Sequence, residues 1–200
     1  VTVCHVANGD MGHAIIQPKE LREIRIGEAK KAGSLAGIEV VTIDIGDLLP
    51  NGCDIAQRDK IVDLIKEKKP DFIITHSKND YMPDHVAVSK LAFDASFTAT
   101  LPNYHVPGVE GAAKMVPIYY MDTLAGVNFN PTEYVDISEE IDLKLKMLEC
   151  HESQVVWMRD HDGIDFPDMV KTCSRYRGYQ CGAEYAEGFR QCQVYLKGTT

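Results

Sequence analysis

Several features that define common classes of protein are missing from this sequence. It contains no Gly-x-Gly-x-x-Gly fingerprint, so the tight phosphate-binding turn of a dinucleotide-binding domain is not indicated. It has no apolar run of about 18 residues, the length that a membrane-spanning helix needs. No signal peptide precedes the first predicted strand, and we therefore expect a soluble protein.

Basic charge and paired cysteines are also scarce. The 200 residues include 21 Lys and Arg against 30 Asp and Glu, which gives a formal net charge of -9. This balance argues against nucleic acid or an anionic membrane as the main partner. The six cysteines form no Cys-x-x-Cys pair, which argues against a Cys-rich zinc knuckle. We interpret them as reduced residues of a cytoplasmic protein.

The sequence does contain an alternation of short apolar runs and amphipathic segments. Its hydrophobic content of 44% suits one globular domain with a sizeable core. The first half predicts strands at Val1–Ala7, Ile38–Ile43 and Phe72–Ile74, and helices at Pro18–Ala36, Gln57–Lys68 and Val86–Thr98. Strands that alternate with helices predict right-handed crossovers and an α/β fold with a mainly parallel sheet.

The second half gives weaker signals. Leu101–Lys114 is a Pro- and Gly-containing loop with His105, and Met115–Tyr120 predicts a further strand. Asp136-Ile137-Ser138-Glu139 has the spacing of a capping box, which predicts a helix from there to about Ser153. The remaining predictions are a partly helical tail at Met169–Ala186 and an edge strand at Phe189–Leu196.

The stretch Thr75–His85 concentrates carboxylate and imidazole groups directly after a predicted strand. Open α/β sheets build their sites on the loops that leave the carboxyl ends of their strands. Asp84 has the residue type of a helix N-cap, and His85 falls in the first turn of the next helix. An adjacent Asp and His can aim one imidazole at a metal ion, but they can also be a helix cap with a solvated neighbour.

Within this stretch, Asp80-Tyr81-Met82-Pro83-Asp84-His85 resembles the second motif of the LmbE-like (PIG-L) zinc deacetylases, usually His-Pro-Asp-His. Three further stretches resemble the family in the same order: Arg25–Ala29, Lys144–Gln154 and Tyr185–Phe189. The resemblance covers nearly the whole chain. It implies a single LmbE-like domain over residues 1–200, Rossmann-like and three-layered, that removes acetyl groups from N-acetylglucosamine-type amides.

The resemblance also implies roles for particular residues. The last His of the second motif is a zinc ligand in the family, and here it is His85. The Asp beside it, here Asp84, assists a His that polarises the substrate carbonyl. Arg25 lies on the family's Arg-x-x-Glu helix and is a candidate for substrate binding, with a surface arginine as the alternative. Asp47 is a candidate for binding a sugar hydroxyl, with a turn aspartate as the alternative.

The sequence departs from the family pattern at two places. It contains no His-Pro-Asp-Asp motif, which in the family supplies two zinc ligands and the general base. We expect the family's first strand and helix to lie upstream of Val1, and the chain as given to be inactive. Met82 occupies the position of the carbonyl-polarising His, and a methionine side chain cannot donate a hydrogen bond.

Other polar and aromatic residues receive structural interpretations. We place His76 near the site but outside the ligand set, and we interpret His151 as a structural residue near a helix end. Trp157 with Tyr119, Tyr120 and Phe129 suits either a sugar-binding cleft or a hydrophobic core.

Three functional hypotheses remain. The first is a zinc-dependent deacetylase of an acetylated amino sugar, which we expect to be a homo-oligomer. The second is a non-catalytic carbohydrate-binding or regulatory homologue that has lost its metal site, which Met82 favours. The third, a nucleotide-binding α/β module, is disfavoured by the missing glycine fingerprint.

Overall fold

The computed structural model describes residues 1–104 and 111–194. The strands are β1 (Thr2–Ala7), β2 (Glu39–Ile45), β3 (Ile73–Thr75), β4 (Ile118–Met121), β5 (Glu133–Asp136) and β6 (Ala186–Gln191). The helices are α1 (Pro18–Leu35), α2 (Ile55–Lys68), α3 (Pro83–Thr98), α4 (Ile141–Glu149), α5 (Glu152–Asp162) and α6 (Phe166–Cys181), with a short 3₁₀ helix at Leu124–Gly126. His105 and the end of the predicted strand Phe189–Leu196 lie outside the described residues.

The strands form two sheets. β1 and β2 pair in parallel, and a second sheet has the strand order β3-β4-β6-β5. Within that sheet β3 and β4 are parallel, whereas β4 and β6 are antiparallel. The predicted Rossmann-like α/β class is therefore confirmed. The expected position of the Asp80–His85 loop is also confirmed, because it follows the carboxyl end of β3.

The predicted helix from Asp136 to Ser153 is wrong in both its start and its continuity. Asp136 ends strand β5, and its Oδ1 accepts hydrogen bonds from the backbone N–H and the hydroxyl of Ser138 at 2.9 and 2.5 Å. Such a local side-chain bond competes with helix formation. Helix α4 begins only at Ile141, and the chain bends at Cys150 and His151 before α5.

The chain divides into two compact units. The first consists of Val1–Leu49 and Tyr134–Glu187, and the second is Pro50–Glu133 with the stretch that starts at Gly188. The prediction of a single domain over 1–200 stays a prediction.

The first unit is built around α1. This helix packs against β2, α4 and α5, and it contributes Leu21, Ala29 and Ala32 to the buried core. Pro18 lies in its first turn, where a missing N–H costs nothing. Burial of these apolar side chains stabilises the packing of α1 in this unit.

The second unit positions the polar stretch. Helices α2 and α3 pack together, and Val62 of α2 and Leu91 of α3 are fully buried. Asp54 caps α2 by accepting a hydrogen bond from the N–H of Gln57 at 3.0 Å. Because α3 also contacts β3, the loop between them is anchored at both ends.

Within the described ranges, no helix has the length and apolar character needed to cross a membrane. All six cysteines are free thiols.

Substitution of two glycines of α1, Gly33 and Gly27, tests how closely this helix packs on β2. A Cβ on Gly33 would fall 2.4 Å from Cγ2 of Val40 and 3.0 Å from the carbonyl oxygen of Ile38, whereas a Cβ on Gly27 would meet nothing within 4 Å. We expect Gly33→Ala to lower the free energy of unfolding by about 1–3 kcal/mol because of the clash. Gly27→Ala should raise it by up to about 1 kcal/mol, because alanine favours the helix. Urea denaturation measures both, and a stabilised Gly33→Ala variant would contradict the close packing.

Candidate functional site

The loop between β3 and α3 is shaped by its own hydrogen bonds. The Ser77 carbonyl accepts the N–H of Asp80 at 3.1 Å, and the Ser77 hydroxyl accepts the N–H of Asn79 at 3.2 Å. Helix α3 begins at Pro83 with Met82 as its N-cap residue. The expectation that Asp84 is the N-cap is therefore wrong. Asp84 lies in the first turn, where its negative charge favours the helix dipole.

The principal contact of this loop joins Asp80 to His85. Oδ2 of Asp80 lies 2.9 Å from Nδ1 of His85. The Asp80 side chain is only 1% exposed, and that of His85 is 28% exposed. An ionised carboxylate can only accept a hydrogen bond, so Nδ1 of His85 carries the proton. Nε2 of His85 is then left with a free lone pair.

Asp80 is held in its ionised form by its neighbours. Burial alone would raise its pKa, but the N–H of Met82, bonded to Oδ1 at 3.0 Å, and the nearby imidazoles lower the pKa overall. Both carboxylate oxygens therefore have a partner. The same carboxylate ties the helix start at Met82 to the imidazole of His85.

His76 completes the cluster. Its ring stacks on that of His85, with 3.9 Å between the ring centroids and 9° between the planes. Burial, together with the neighbouring His85 and against the opposing effect of Asp80, lowers the pKa of His76 to about 4. At neutral pH His76 is therefore an uncharged imidazole.

This cluster offers the donor atoms that zinc prefers. His76, Asp80 and His85 each supply one nitrogen or oxygen donor, and these atoms lie within 4.8 Å of one another. Imidazole nitrogen and carboxylate oxygen are typical zinc ligands. The residues present thus fit the chemistry of a zinc centre.

The family motif indicates His85 as a ligand, but no pattern in the sequence indicates a role for Asp80. Asp80 stands five residues before His85, across Pro83, and no helical or strand spacing relates the two. The sequence shows only that many polar residues follow an apolar strand. This pattern indicates a functional loop, but it does not indicate which two side chains of the loop bond to each other.

In the first unit, Arg25 uses its guanidinium to hold a loop. Its Nη1 donates to the carbonyl of Gly9 at 2.6 Å, and its Nη2 donates to the carbonyl of Gly12 at 2.9 Å and to Oε1 of Gln154 at 2.6 Å. Gly9 has a φ of +76°, and a Cβ there would fall 2.6 Å from Cδ of Arg25. The loop therefore needs glycine at this position.

Asp47 holds the same loop from the other side. Its two carboxylate oxygens accept the N–H groups of Gly9 and Met11 at 3.0 and 3.1 Å. The N–H of Asp47 in turn donates to Oδ1 of Asp10 at 3.0 Å. The loops after β1 and β2 are thus bound to each other, and the assignments of Arg25 and Asp47 to substrate binding stay predictions.

A cavity of about 260 Å³ adjoins Arg25 within the first unit. Its lining includes His5 and His151, whose rings are nearly parallel at 6.3 Å between centroids. Burial is the main cause that lowers the pKa of both imidazoles. Glu28 also lines the cavity, but its carboxylate accepts the N–H and the hydroxyl of Ser153 at 2.7 and 2.8 Å.

The aromatic residues have mainly structural roles. Tyr120 and Phe129 belong to a buried cluster of the second unit, in agreement with core packing. Trp157 lies on α5 next to His13 and stacks on His161, with 4.1 Å between ring centroids.

Comparison with known proteins gives one family match and several relatives. Residues 1–96 match the family model described as PIG-L: GlcNAc-PI de-N-acetylase. A diacetylchitobiose deacetylase from Thermococcus kodakarensis is 27% identical over 200 residues, covering 92% of this chain and 69% of that protein.

Two solved structures illustrate the fold. The N,N'-diacetylchitobiose deacetylase from Pyrococcus horikoshii has a TM-score of 0.81 at 21% identity, covering 100% of this chain and 76% of that one. GalB, the 4-carboxy-2-hydroxymuconate hydratase from Pseudomonas putida, has a TM-score of 0.79 at 21% identity, covering 100% and 86%. At these identities the structures establish the fold alone, since the same fold carries a deacetylase and a hydratase.

The contacts of Arg25 lead to a stability prediction. Arg25→Lys removes the forked geometry that reaches three acceptors, so it should lower the free energy of unfolding by about 1–3 kcal/mol. Arg22→Lys is the matched control, because Arg22 lies on the same helix and pairs with Asp44 at an exposed position. Its cost should be clearly smaller than that of Arg25→Lys, because an ion pair at an exposed position contributes little to stability. Equal costs in urea denaturation would show that Arg25 is an ordinary surface arginine.

Proposed function

We propose that this protein, which belongs to the PIG-L family, is a zinc-dependent hydrolase that removes the acetyl group from an N-acetylglucosamine-type amide. The match over residues 1–96 confirms the resemblance that the motifs indicated. The observation that carries the proposal is the buried Asp80 bonded to His85 on the loop after β3. This pair holds an imidazole with a free nitrogen at a strand's carboxyl end, where this class of fold builds its sites.

The relatives support the choice of substrate class. The Thermococcus protein is named a diacetylchitobiose deacetylase, and the Pyrococcus structure has the same kind of name. Both names describe removal of acetyl from an amino sugar. We therefore propose an acetylated amino sugar as the substrate of this protein.

Of the residues in the second unit, we assign His85 to hold the zinc ion through Nε2. When bound, zinc would lower the pKa of a water molecule and polarise the amide carbonyl. Asp80 keeps the His85 imidazole in the required tautomer. Asp84, as the counterpart of the family's assisting aspartate, is assigned to orient a group that polarises the carbonyl. Met82 cannot be that group, because its thioether does not donate a hydrogen bond.

Arg25 and Asp47 would contribute to substrate binding through the loop that they hold. Their charged atoms bond to backbone groups of residues 9–12. Fixing that loop would place its remaining polar groups, such as Oδ2 of Asp10, for contact with sugar hydroxyls. We propose this indirect role in place of direct contact.

The sequence does not contain the His-Pro-Asp-Asp motif that supplies two ligands and the base in the family. We therefore propose that the 200-residue chain has little turnover by itself. We also propose a cytoplasmic homo-oligomer, with the six free cysteines as the support for a reducing compartment.

A non-catalytic carbohydrate-binding homologue is the second candidate. It is favoured by Met82, which stands where the family has an imidazole donor. The two candidates differ in whether the protein releases acetate from the sugar or only binds it.

The deacetylase proposal is tested by release of free amine from N,N'-diacetylchitobiose in the presence of zinc. We expect little release by the chain as given, and clear release when an amino-terminal segment carrying His-Pro-Asp-Asp is joined to it. His85→Ala should abolish that release, because the variant removes the imidazole that we assign to the zinc ion. His161→Ala is the control, since His161 also bonds an aspartate through Nδ1 but on the surface.

A joined protein that binds zinc and the sugar without releasing amine supports the non-catalytic candidate. Stoichiometric zinc retained by the dialysed chain alone, and lost in His85→Ala, would contradict the expectation of a weak site.

Met82→His should raise kcat in a form that turns over. One donor to the oxyanion is typically worth about 100- to 1000-fold in turnover. The gain should appear in kcat more than in KM, because the donor acts mainly on the transition state. Asp84→Asn in the same background should remove much of the gain. Equal kcat for Met and His at matched zinc content would show that another group already donates to the carbonyl.

A further inference from the structure

Helix α3 carries apolar residues on its exposed side as well as on its buried side. The helix packs against α2 and contacts β3, and its buried residues are Ser89, Leu91, Ala92, Ala95 and Thr98. Val86, Phe93 and Phe97 are 37%, 38% and 56% exposed. A helix at a protein surface normally presents polar residues to water. The exposed side of α3 therefore has the composition of a contact surface.

The exposed residues form one line along the helix, which we call the α3 stripe. It consists of Val86, Lys90, Phe93 and Phe97, at successive intervals of four, three and four residues. Alternating steps of three and four residues keep side chains on one side of a helix, and helices that pack in pairs use this spacing. The α3 stripe therefore suits contact with another helix.

The charges along the stripe restrict what can cover it. Nζ of Lys90 lies 2.6 Å from Oδ2 of Asp94, one turn further along the helix. The helix has this one lysine against Asp84 and Asp94, whereas a helix that lies on an anionic membrane is rich in Lys and Arg. A stripe with one charge of each sign instead complements a helix that presents the same two charges in the reverse order.

A second copy of α3 that runs antiparallel supplies this reversed order. A two-fold axis between positions 91 and 92 places Lys90 opposite Phe93 of the second copy and beside its Asp94. The same axis places Val86 opposite Phe97. A parallel pair in register would instead place the two Lys90 side chains against each other, which is unfavourable.

We propose that the α3 stripe is the contact between two copies of this protein, paired antiparallel about a two-fold axis. The rings of Phe93 and Phe97 supply the apolar burial. The methylene groups of Lys90 pack along Phe93 of the second copy, and its ammonium group pairs with Asp94 there. This assigns a surface and a symmetry to the proposed homo-oligomer, and it rests on that oligomer but not on the proposed reaction.

Sedimentation velocity at increasing protein concentration tests the contact. Phe97→Glu places a charge in the apolar contact and should raise the dissociation constant of the dimer by about 10- to 100-fold. Tyr176→Glu is the matched control, because Tyr176 is 58% exposed on α6 and the variant adds the same charge. It should leave association unchanged. A monomeric wild type, or equal effects of the two variants, overturns the proposal.

Disulfide crosslinking tests the direction of the pair. In a background where serine replaces the exposed Cys53 and Cys181, one protein carries Val86→Cys and a second, mass-tagged protein carries Phe97→Cys. After subunit exchange the mixture should form a crosslinked dimer of tagged and untagged chains, and neither variant alone should crosslink. The background protein is the control. Crosslinking of either variant to itself indicates a parallel pair, and absence of any crosslink indicates a different contact; either result overturns the proposal.

Both measurements are independent of turnover. A confirmed contact without release of amine from N,N'-diacetylchitobiose rejects only the proposed reaction. Release of amine by a form that stays monomeric rejects only the contact.

Discussion

The hydrogen bond between the Asp80 carboxylate and the His85 imidazole is the interaction on which the candidate site depends. It joins a buried anion to a half-buried ring, and the same anion fixes the start of α3 through the N–H of Met82. The carboxylate has two hydrogen-bond partners, the N–H of Met82 and the imidazole of His85. Loss of either partner would leave a buried ionised oxygen without a hydrogen bond, which is energetically costly. The loop, the helix start and the ring orientation are therefore coupled through one side chain.

The first unit is stabilised by a comparable pair of long-range contacts. Arg25 and Glu28, one turn apart on α1, bond to Gln154 and Ser153 at the start of α5. These residues are separated by more than a hundred positions in the sequence. Each contact gives a partly buried charged group a neutral hydrogen-bond partner. The two contacts together fix the position of α5 along α1.

The spacing of apolar residues predicted the first six elements and the α/β class. Buried strands and amphipathic helices differ in this spacing, so the two kinds of element can be told apart in the sequence. The region after Tyr134 was predicted poorly for a physical reason. The spacing of Asp136 and Glu139 suits a capping box, but the Asp136 side chain bonds Ser138 and the chain turns before α4. His85 was found because its motif is local. The contacts of Asp80 and His76 depend on the conformation of the loop, and those of Arg25 depend on residues that are far apart in the sequence.

The first unit is assembled from two segments that are separated by residues 50–133. During synthesis α1 is complete long before α4 and α5, the helices that pack against it, have been made. At about 5–20 residues per second the ribosome needs about 6–25 seconds to reach the end of α5. For that interval the apolar face of α1 has only β1 and β2 to pack against, while residues 50–133 are made. A growing chain of this protein therefore presents an amphipathic helix that chaperones are suited to bind.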